Sequence, residues 1–180
     1  MGDFEPLIIA ASSAVRSSGK VLVSGCLNGP AIRFNQTNIE VESPVWDRWA
    51  AEGRLVPFCA ELSAGFVVPR PPAETLGGDG TAVLCGDGVV VEDTGSDVTD
   101  LFMIGAQNAV DHALEQGYIT AVLTDGSPSC GSTYIYDGSF AGGTKKGAGV
   151  VAQLLIDNGI QVFAEDQLDQ ADQFIRQHTE

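Results

Sequence analysis

Short apolar runs alternate with longer amphipathic ones along this chain, and Gly, Pro and Ser punctuate the two types. Residues 20–25 (Lys-Val-Leu-Val-Ser-Gly) read as a buried strand and residues 54–58 as a second. Residues 119–123 and 160–163 repeat the pattern. Ser43 before Pro44 marks a helix start, a capping hydroxyl followed by a residue suited to the first turn. The strongest helical pattern covers residues 97–116. There Val98, Leu101, Phe102, Gly105, Ala106, Ala109 and Ala113 form one narrow apolar stripe, and Gly117 can end it. Residues 147–158 predict another helix, stopped by Gly159, and residues 167–177 a terminal one. Residues 27–38, rich in Gly, Pro and Asn, read as a loop, and residues 70–74 (Arg-Pro-Pro-Ala-Glu) as a stiff extended loop. The runs 81–84 and 89–91, separated by Gly86-Asp87-Gly88, predict a β-hairpin.

Strands alternating with helices predict an α/β fold: a single domain with a mostly parallel sheet flanked by helices, plus the small hairpin. Residues 1–19 are set apart as an N-terminal extension, and residues 20–180 form the domain. In such sheets ligands sit beyond the carboxyl ends of the strands.

Composition narrows the function classes. A chain of 180 residues, 44% hydrophobic and 18% charged, suits one soluble domain with a real core. A net charge of -15 repels phosphate backbones and anionic lipid, so neither nucleic acid nor membrane is an expected partner. No apolar run approaches the roughly 18 residues that a membrane span requires. Residues 1–14, acidic at the start and apolar over 7–11, lack a signal-peptide pattern. With four cysteines in a chain of this size, a reducing, cytoplasmic setting is expected.

Three of those cysteines carry the candidate chemistry. Cys26, Cys59 and Cys130 each follow a strand-like run, with Gly or Pro close by. Thiols in such turns are placed to react or to ligate metal. Three thiolates can hold three irons of a cubic cluster and leave the fourth open. Three unrelated buried cysteines remain an alternative. A closed zinc site is another, and it needs Cys85 as its fourth ligand, because neither His112 nor His178 is suitably placed. Glu61, two residues past Cys59, is a candidate general acid–base or a solvated surface residue. Ser127, three before Cys130, can donate to a substrate or cap its turn. Residues 142–149 place Lys145, Lys146 and Gly147 just before a helix, a candidate anion subsite that lacks the Walker pattern.

Together these motifs resemble one family. Val-Ser-Gly-Cys-Leu-Asn-Gly (23–29) with Arg33, Gly-Arg-Leu-Val-Pro-Phe-Cys-Ala-Glu (53–61), Arg-Pro-Pro-Ala-Glu (70–74) and Ser-Pro-Ser-Cys-Gly-Ser (127–132) with Ile-Tyr-Asp-Gly (135–138) carry the likeness. So do residues 147–155 and 159–165. In this order, from about residue 20 to 165, the chain resembles the thiouracil desulfidases. The resemblance implies a [4Fe-4S] cluster on Cys26, Cys59 and Cys130, with Glu61 and Ser127 in catalysis. Its substrate would be a small thiolated pyrimidine, a free base or a nucleotide such as thiouridine monophosphate, with water replacing the sulfur. A role in nucleotide salvage would follow. Ala60 where the family usually has Pro, Ala64-Gly65 for a Gly-Gly pair, and Thr124-Asp125-Gly126 for a more basic stretch are departures that bear on substrate choice. A cluster- or metal-bearing sensor without turnover is the rival reading, which the acidic charge disfavours.

Overall fold

The computed structural model describes residues 19–179. Apart from Gly19, the expected N-terminal extension lies outside the described residues. In chain order the elements are β1 (Val21–Ser24), α1 (Pro44–Ala51), β2 (Leu55–Phe58), α2 (Ala60–Ser63), β3 (Ala73–Leu76), α3 (Gly80–Cys85), β4 (Val89–Glu92) and α4 (Thr99–Gln116). Then come β5 (Thr120–Leu123), β6 (Tyr134–Tyr136), β7 (Thr144–Lys146), α5 (Val150–Asp157), β8 (Gln161–Ala164) and α6 (Leu168–His178).

The main sheet is parallel, in the order β2-β1-β5-β8. Its two central strands, β1 and β5, are buried on both faces, which is why they read as continuous apolar runs, while the edge strands β2 and β8 are partly exposed. Successive side chains of β1 and β5 divide between two cores. Val21, Val23 and Val122 pack with Trp46, Trp49, Leu168 and Ile175 of α1 and α6. Leu22, Ala121 and Leu123 pack with Phe102, Ala106 and Ala109 of α4 and Val151 and Leu155 of α5. The result is a three-layer sandwich, as the sequence pattern predicts.

Helix ends follow the sequence signals. The Ser43 hydroxyl accepts from the Val45 N–H at 3.2 Å, and Gly117, at φ +71°, ends α4. Of the α4 stripe, Leu101 alone is exposed, while Phe102, Gly105, Ala106, Ala109 and Ala113 are buried. Asp172 of α6 staples its helix to α1, receiving hydrogen bonds from Trp49 Nε1 at 3.0 Å, Arg176 Nε at 2.8 Å, and Arg48. Burial pushes its carboxyl pKa up, but these donors outweigh burial and hold it below the usual value.

The hairpin expected of residues 81–84 and 89–91 does not form, because its first run is not a strand. Residues 80–85 form helix α3, capped by the Asp79 carboxylate accepting from Thr81 N–H at 3.0 Å and ended by Gly86 at φ +84°. The strand β4 pairs antiparallel with β3, which takes residues 73–76 from the end of the predicted stiff loop. The helix expected from residue 147 begins at Val150, because residues 144–146 form β7 and pair with β6.

The chain moves from β1 to β2 in one direction across the sheet, then from β5 to β8 in the other. The reversal falls between β1 and β5. At such a switch point the following loops diverge to opposite faces and leave a crevice at the carboxyl edge.

Candidate active site at the carboxyl edge of the sheet

Each of three adjacent strands delivers one cysteine to this crevice. Cys26 lies in the 3-10 turn Gly25–Leu27 directly after β1, and Cys59 caps α2 directly after β2. Cys130 sits on the loop that follows β5. All three line one cavity of about 600 Å³, its open mouth included, together with Ile32, Arg33, Phe34, Phe58, Arg70, Ser127 and Tyr136. Cys85 is exposed at the end of α3 and does not line it, so a zinc site closed by Cys85 is not formed. His112 stacks on Phe58, ring centroids 5.2 Å apart, and also lies outside the cavity wall.

The donor set fits a polynuclear cluster better than a lone ion. Among the described residues, no three His, Cys, Asp or Glu side chains gather closely enough to hold a single metal ion. The three thiols instead ring an open space, with no fourth protein thiol on it. Burial pushes all three thiol pKa values up, Cys130 most. Opposing this, Thr124 is hydrogen-bonded to Cys26, its Oγ1 3.2 Å from Sγ, and Arg33 draws the Cys26 pKa down. Glu61 adds a smaller upward push on each. The three half-buried thiols are free, and partial burial favours their neutral form, so a thiolate-ligated iron group bound there would displace their protons.

The Cys130 loop is fixed by its own hydrogen bonds. The Ser127 hydroxyl accepts from the N–H groups of Ser129 at 3.1 Å and Cys130 at 3.2 Å. Asp125 accepts from the N–H groups of Ser132 at 2.7 Å and Thr133 at 2.9 Å. Ser24 Oγ accepts from the Thr124 N–H at 3.0 Å, tying β1 to the end of β5. Glu61 does not line the cysteine cavity. It lines a smaller neighbour, whose walls Phe34 and Arg70 share with the first. There Arg70 grips its carboxylate, with Nε 2.7 Å from Oε2 and Nη2 also bound to it. Arg70 Nη1 donates to the carbonyls of Ile32 at 3.3 Å and Val67 at 3.2 Å, and its guanidinium lies over Phe66.

The structure gives the lysine stretch another task. Lys145 Nζ donates to the carbonyls of Thr75 at 3.0 Å and Asp137 at 3.2 Å, tying the β6–β7 hairpin to β3. Lys146 is exposed on β7, and neither lysine nor Gly147 lines the cysteine cavity. The N–H groups at the start of α5 are already used: Gly149 donates to Gly131 O at 2.8 Å, Val150 to Pro128 O and Val151 to Ser129 O, both at 2.9 Å. The helix entry therefore holds the Cys130 loop in place of an anion. Arg33, Arg70 and Tyr136 also line the cysteine cavity, and all three lie within the motifs given above without a role of their own. For Arg33 a signal exists: in a chain with 24 acidic and nine basic residues, an arginine beside a cysteine motif marks where positive charge is needed.

Comparison with known proteins agrees with this geometry. The family model described as 2-thiouracil desulfurase matches residues 21–167. The chain is 40% identical over 149 residues to the uncharacterized protein YbbK of Bacillus subtilis (strain 168), covering 83% of this chain and 97% of that protein. It is also similar to the solved structure of the [4Fe-4S]-dependent thiouracil desulfidase TudS. That match has a TM-score of 0.80 at 40% identity, and covers 88% of this chain and 98% of the other.

Proposed function

We propose, from the premise that this chain belongs to the 2-thiouracil desulfurase family, that it is a [4Fe-4S]-dependent desulfidase that converts thiouracil and water to uracil and hydrogen sulfide. The observation that carries the reading is the delivery of Cys26, Cys59 and Cys130 from three neighbouring strand ends to one cavity. These three residues would hold the cluster. When bound, it supplies a thiophilic Lewis acid that polarises the C–S bond. The overall exchange of C=S for C=O leaves no net electrons to carry away, so no redox partner is needed.

The chain's own residues supply positioning and proton movement. Ile32, Phe34 and Phe58 give the cavity apolar walls that exclude bulk water from a flat ring. Glu61, oriented by Arg70, is the proton acceptor for the incoming water. Ser127 already accepts two backbone N–H groups, so its hydroxyl proton is what it offers the cavity, as a donor to the substrate or the departing sulfur. The finer substrate choice, thiouridine monophosphate included, and a place in nucleotide salvage in the cytoplasm belong to this proposal.

Protein purified without oxygen should carry about four irons and matching labile sulfide per chain, and should release sulfide from 2-thiouracil. Cys26→Ala, Cys59→Ala and Cys130→Ala should each lose the cluster's visible absorption, and Cys85→Ala should keep it. A protein holding zinc or no metal, or one with a full cluster and no sulfide release from any thiopyrimidine, refutes the proposal.

A further inference from the structure

Arg33 stands apart from the other arginines of this molecule. Among the described residues, Arg48 and Arg176 pair with Asp172, Arg54 pairs with Glu52, and Arg70 pairs with Glu61. Arg33 has no carboxylate partner and its guanidinium makes no hydrogen bond among them, in a chain whose net charge is -15. Its backbone is nevertheless held. Its N–H donates to Thr37 O at 3.1 Å, and its carbonyl accepts from Gln36 N–H at 2.9 Å. The loop is anchored on both flanks, by Ile39 N–H to Cys26 O at 3.0 Å and Arg70 N–H to Phe34 O at 3.0 Å. A half-buried guanidinium on a braced turn, facing a cavity and left without a partner, is pre-organised for a ligand.

The other polar groups on the cavity wall are nearly all committed. Thr124 Oγ1 is bonded to Cys26, Ser24 Oγ to the Thr124 N–H, and Arg70 to Glu61 and two carbonyls. Ser127 has its proton left to give, and the Tyr136 hydroxyl is at an exposed position. A pyrimidine whose sulfur is turned toward the cysteines presents its remaining ring carbonyl, and the adjacent ring nitrogen, away from them. Arg33 lines both the cysteine cavity and the adjoining cavity of Asn35, Glu74, Asp93 and Phe140, so it marks the outer side of the site.

We infer that Arg33 is a substrate-binding, specificity-determining residue, whose guanidinium donates to the ring carbonyl that the reaction leaves untouched. The inference rests on the desulfidase reading for the identity of its ligand. Two N–H groups of a planar guanidinium can both donate to the two lone pairs of one carbonyl oxygen, a geometry that Lys cannot reproduce. A site built around a hydrogen bond rejects an analogue lacking the partner, because the donor is then left unpaired.

The test compares ligands that differ by that one oxygen, using cluster-loaded protein. Calorimetry with uracil and with pyrimidin-2-one reads binding without turnover. Wild-type protein should prefer uracil by about 10- to 100-fold, the range expected of a charge-assisted hydrogen bond. R33M should lose that preference at unchanged iron content, and R33K should keep only part of it. In turnover, R33M should raise KM for 2-thiouracil and leave KM for pyrimidine-2-thione nearly unchanged. A preference that persists in R33M, one absent from the wild type, or loss of iron in both R33M and R33K overturns the assignment. Failure of the wild type to release sulfide from 2-thiouracil instead strikes the desulfidase reading itself, and the binding comparison separates the two.

Discussion

Ser127 spends both of its lone pairs on the turn that carries Cys130, and that fixes what it can do in chemistry. An oxygen already accepting from the Ser129 and Cys130 N–H groups is a poor proton acceptor and a ready donor. In the proposed mechanism Glu61 carries the complementary role, its carboxylate gripped by Arg70 in the neighbouring cavity. Glu61→Gln should therefore keep iron content and visible absorption while sulfide release falls by roughly 10²–10⁴-fold, the usual worth of general acid–base catalysis. Ser127→Ala should keep the cluster with a smaller loss, concentrated in kcat. A Glu61→Gln protein with near-normal turnover would remove the carboxylate from the reaction. Both residues stand out in the sequence because each lies within three positions of a cysteine, but their roles rest on the family resemblance, which these variants test. The lysine stretch shows what sequence leaves open. Whether a helix entry is open to an anion depends on what else satisfies its N–H groups, and here residues 128, 129 and 131 do so from the preceding loop. Arg70 was illegible in another way, since its nine-residue separation from Glu61 has no periodic signature.

Short helix α2 has four residues and could not stand alone, so its position depends on the helix beneath it. Gly105 of α4 provides that seat: a Cβ added there would lie 2.6 Å from Ala60 O and 3.0 Å from Ala60 C. Contact with backbone cannot be relieved by a rotamer change, so α2 would have to move, with Cys59 at its cap and Glu61 in its first turn. Gly105→Ala should cost about 1–3 kcal/mol through overpacking, set against about 1 kcal/mol gained in helix propensity. The informative readout is lower iron occupancy and lower sulfide release per chain, at a Tm reduced by only a few degrees. Unchanged occupancy and turnover would show that α2 does not need this seat. The α4 stripe revealed a buried glycine but not its partner. At the same scale, Gly86-Asp87-Gly88 was ambiguous because a left-handed glycine ends a helix as readily as it turns a hairpin. The apolar run 81–84 could serve either structure, and the Asp79 cap decided for a helix.

The charge of the whole molecule acts on stability in a direction that can be measured. At a net charge of -15 the folded state repels itself, and the repulsion is concentrated where Glu40, Glu42, Glu165, Asp166 and Asp169 surround one cavity between the α1 entry and the start of α6. Burial, first of all, raises the pKa of Glu165, with Asp125 and Asp166 adding to it. A carboxyl whose folded pKa lies above its unfolded value favours folding when protonated. Its contribution is full below the ordinary Glu range and is lost as pH rises through the folded value. Asp172 has the opposite sign. Its depressed pKa stabilises the fold above the ordinary Asp range and is lost as pH falls through the folded value. The two windows together place the stability maximum on the acidic side of neutral, just above the ordinary carboxylate range. The Tm should rise as pH is lowered toward the ordinary carboxylate range, then fall below about 4, where the unfolded state takes up a proton that Asp172 in the staple between α1 and α6 resists. Sodium chloride at a few tenths molar should raise Tm at pH 8 by screening the like charges, and should do so less at pH 5. Asp172→Asn should be less stable than the wild type at pH 7 and should lose most of the acid limb. A wild-type Tm that is flat or rising with pH between 5 and 8, and indifferent to salt at pH 8, would mean that the acidic surface is compensated by interactions other than those described. The sign of the salt effect follows from composition alone. The position of the maximum does not, because it depends on Glu165 being buried beside other carboxylates and on Asp172 being gripped by Arg48, Trp49 and Arg176, contacts that the fold creates.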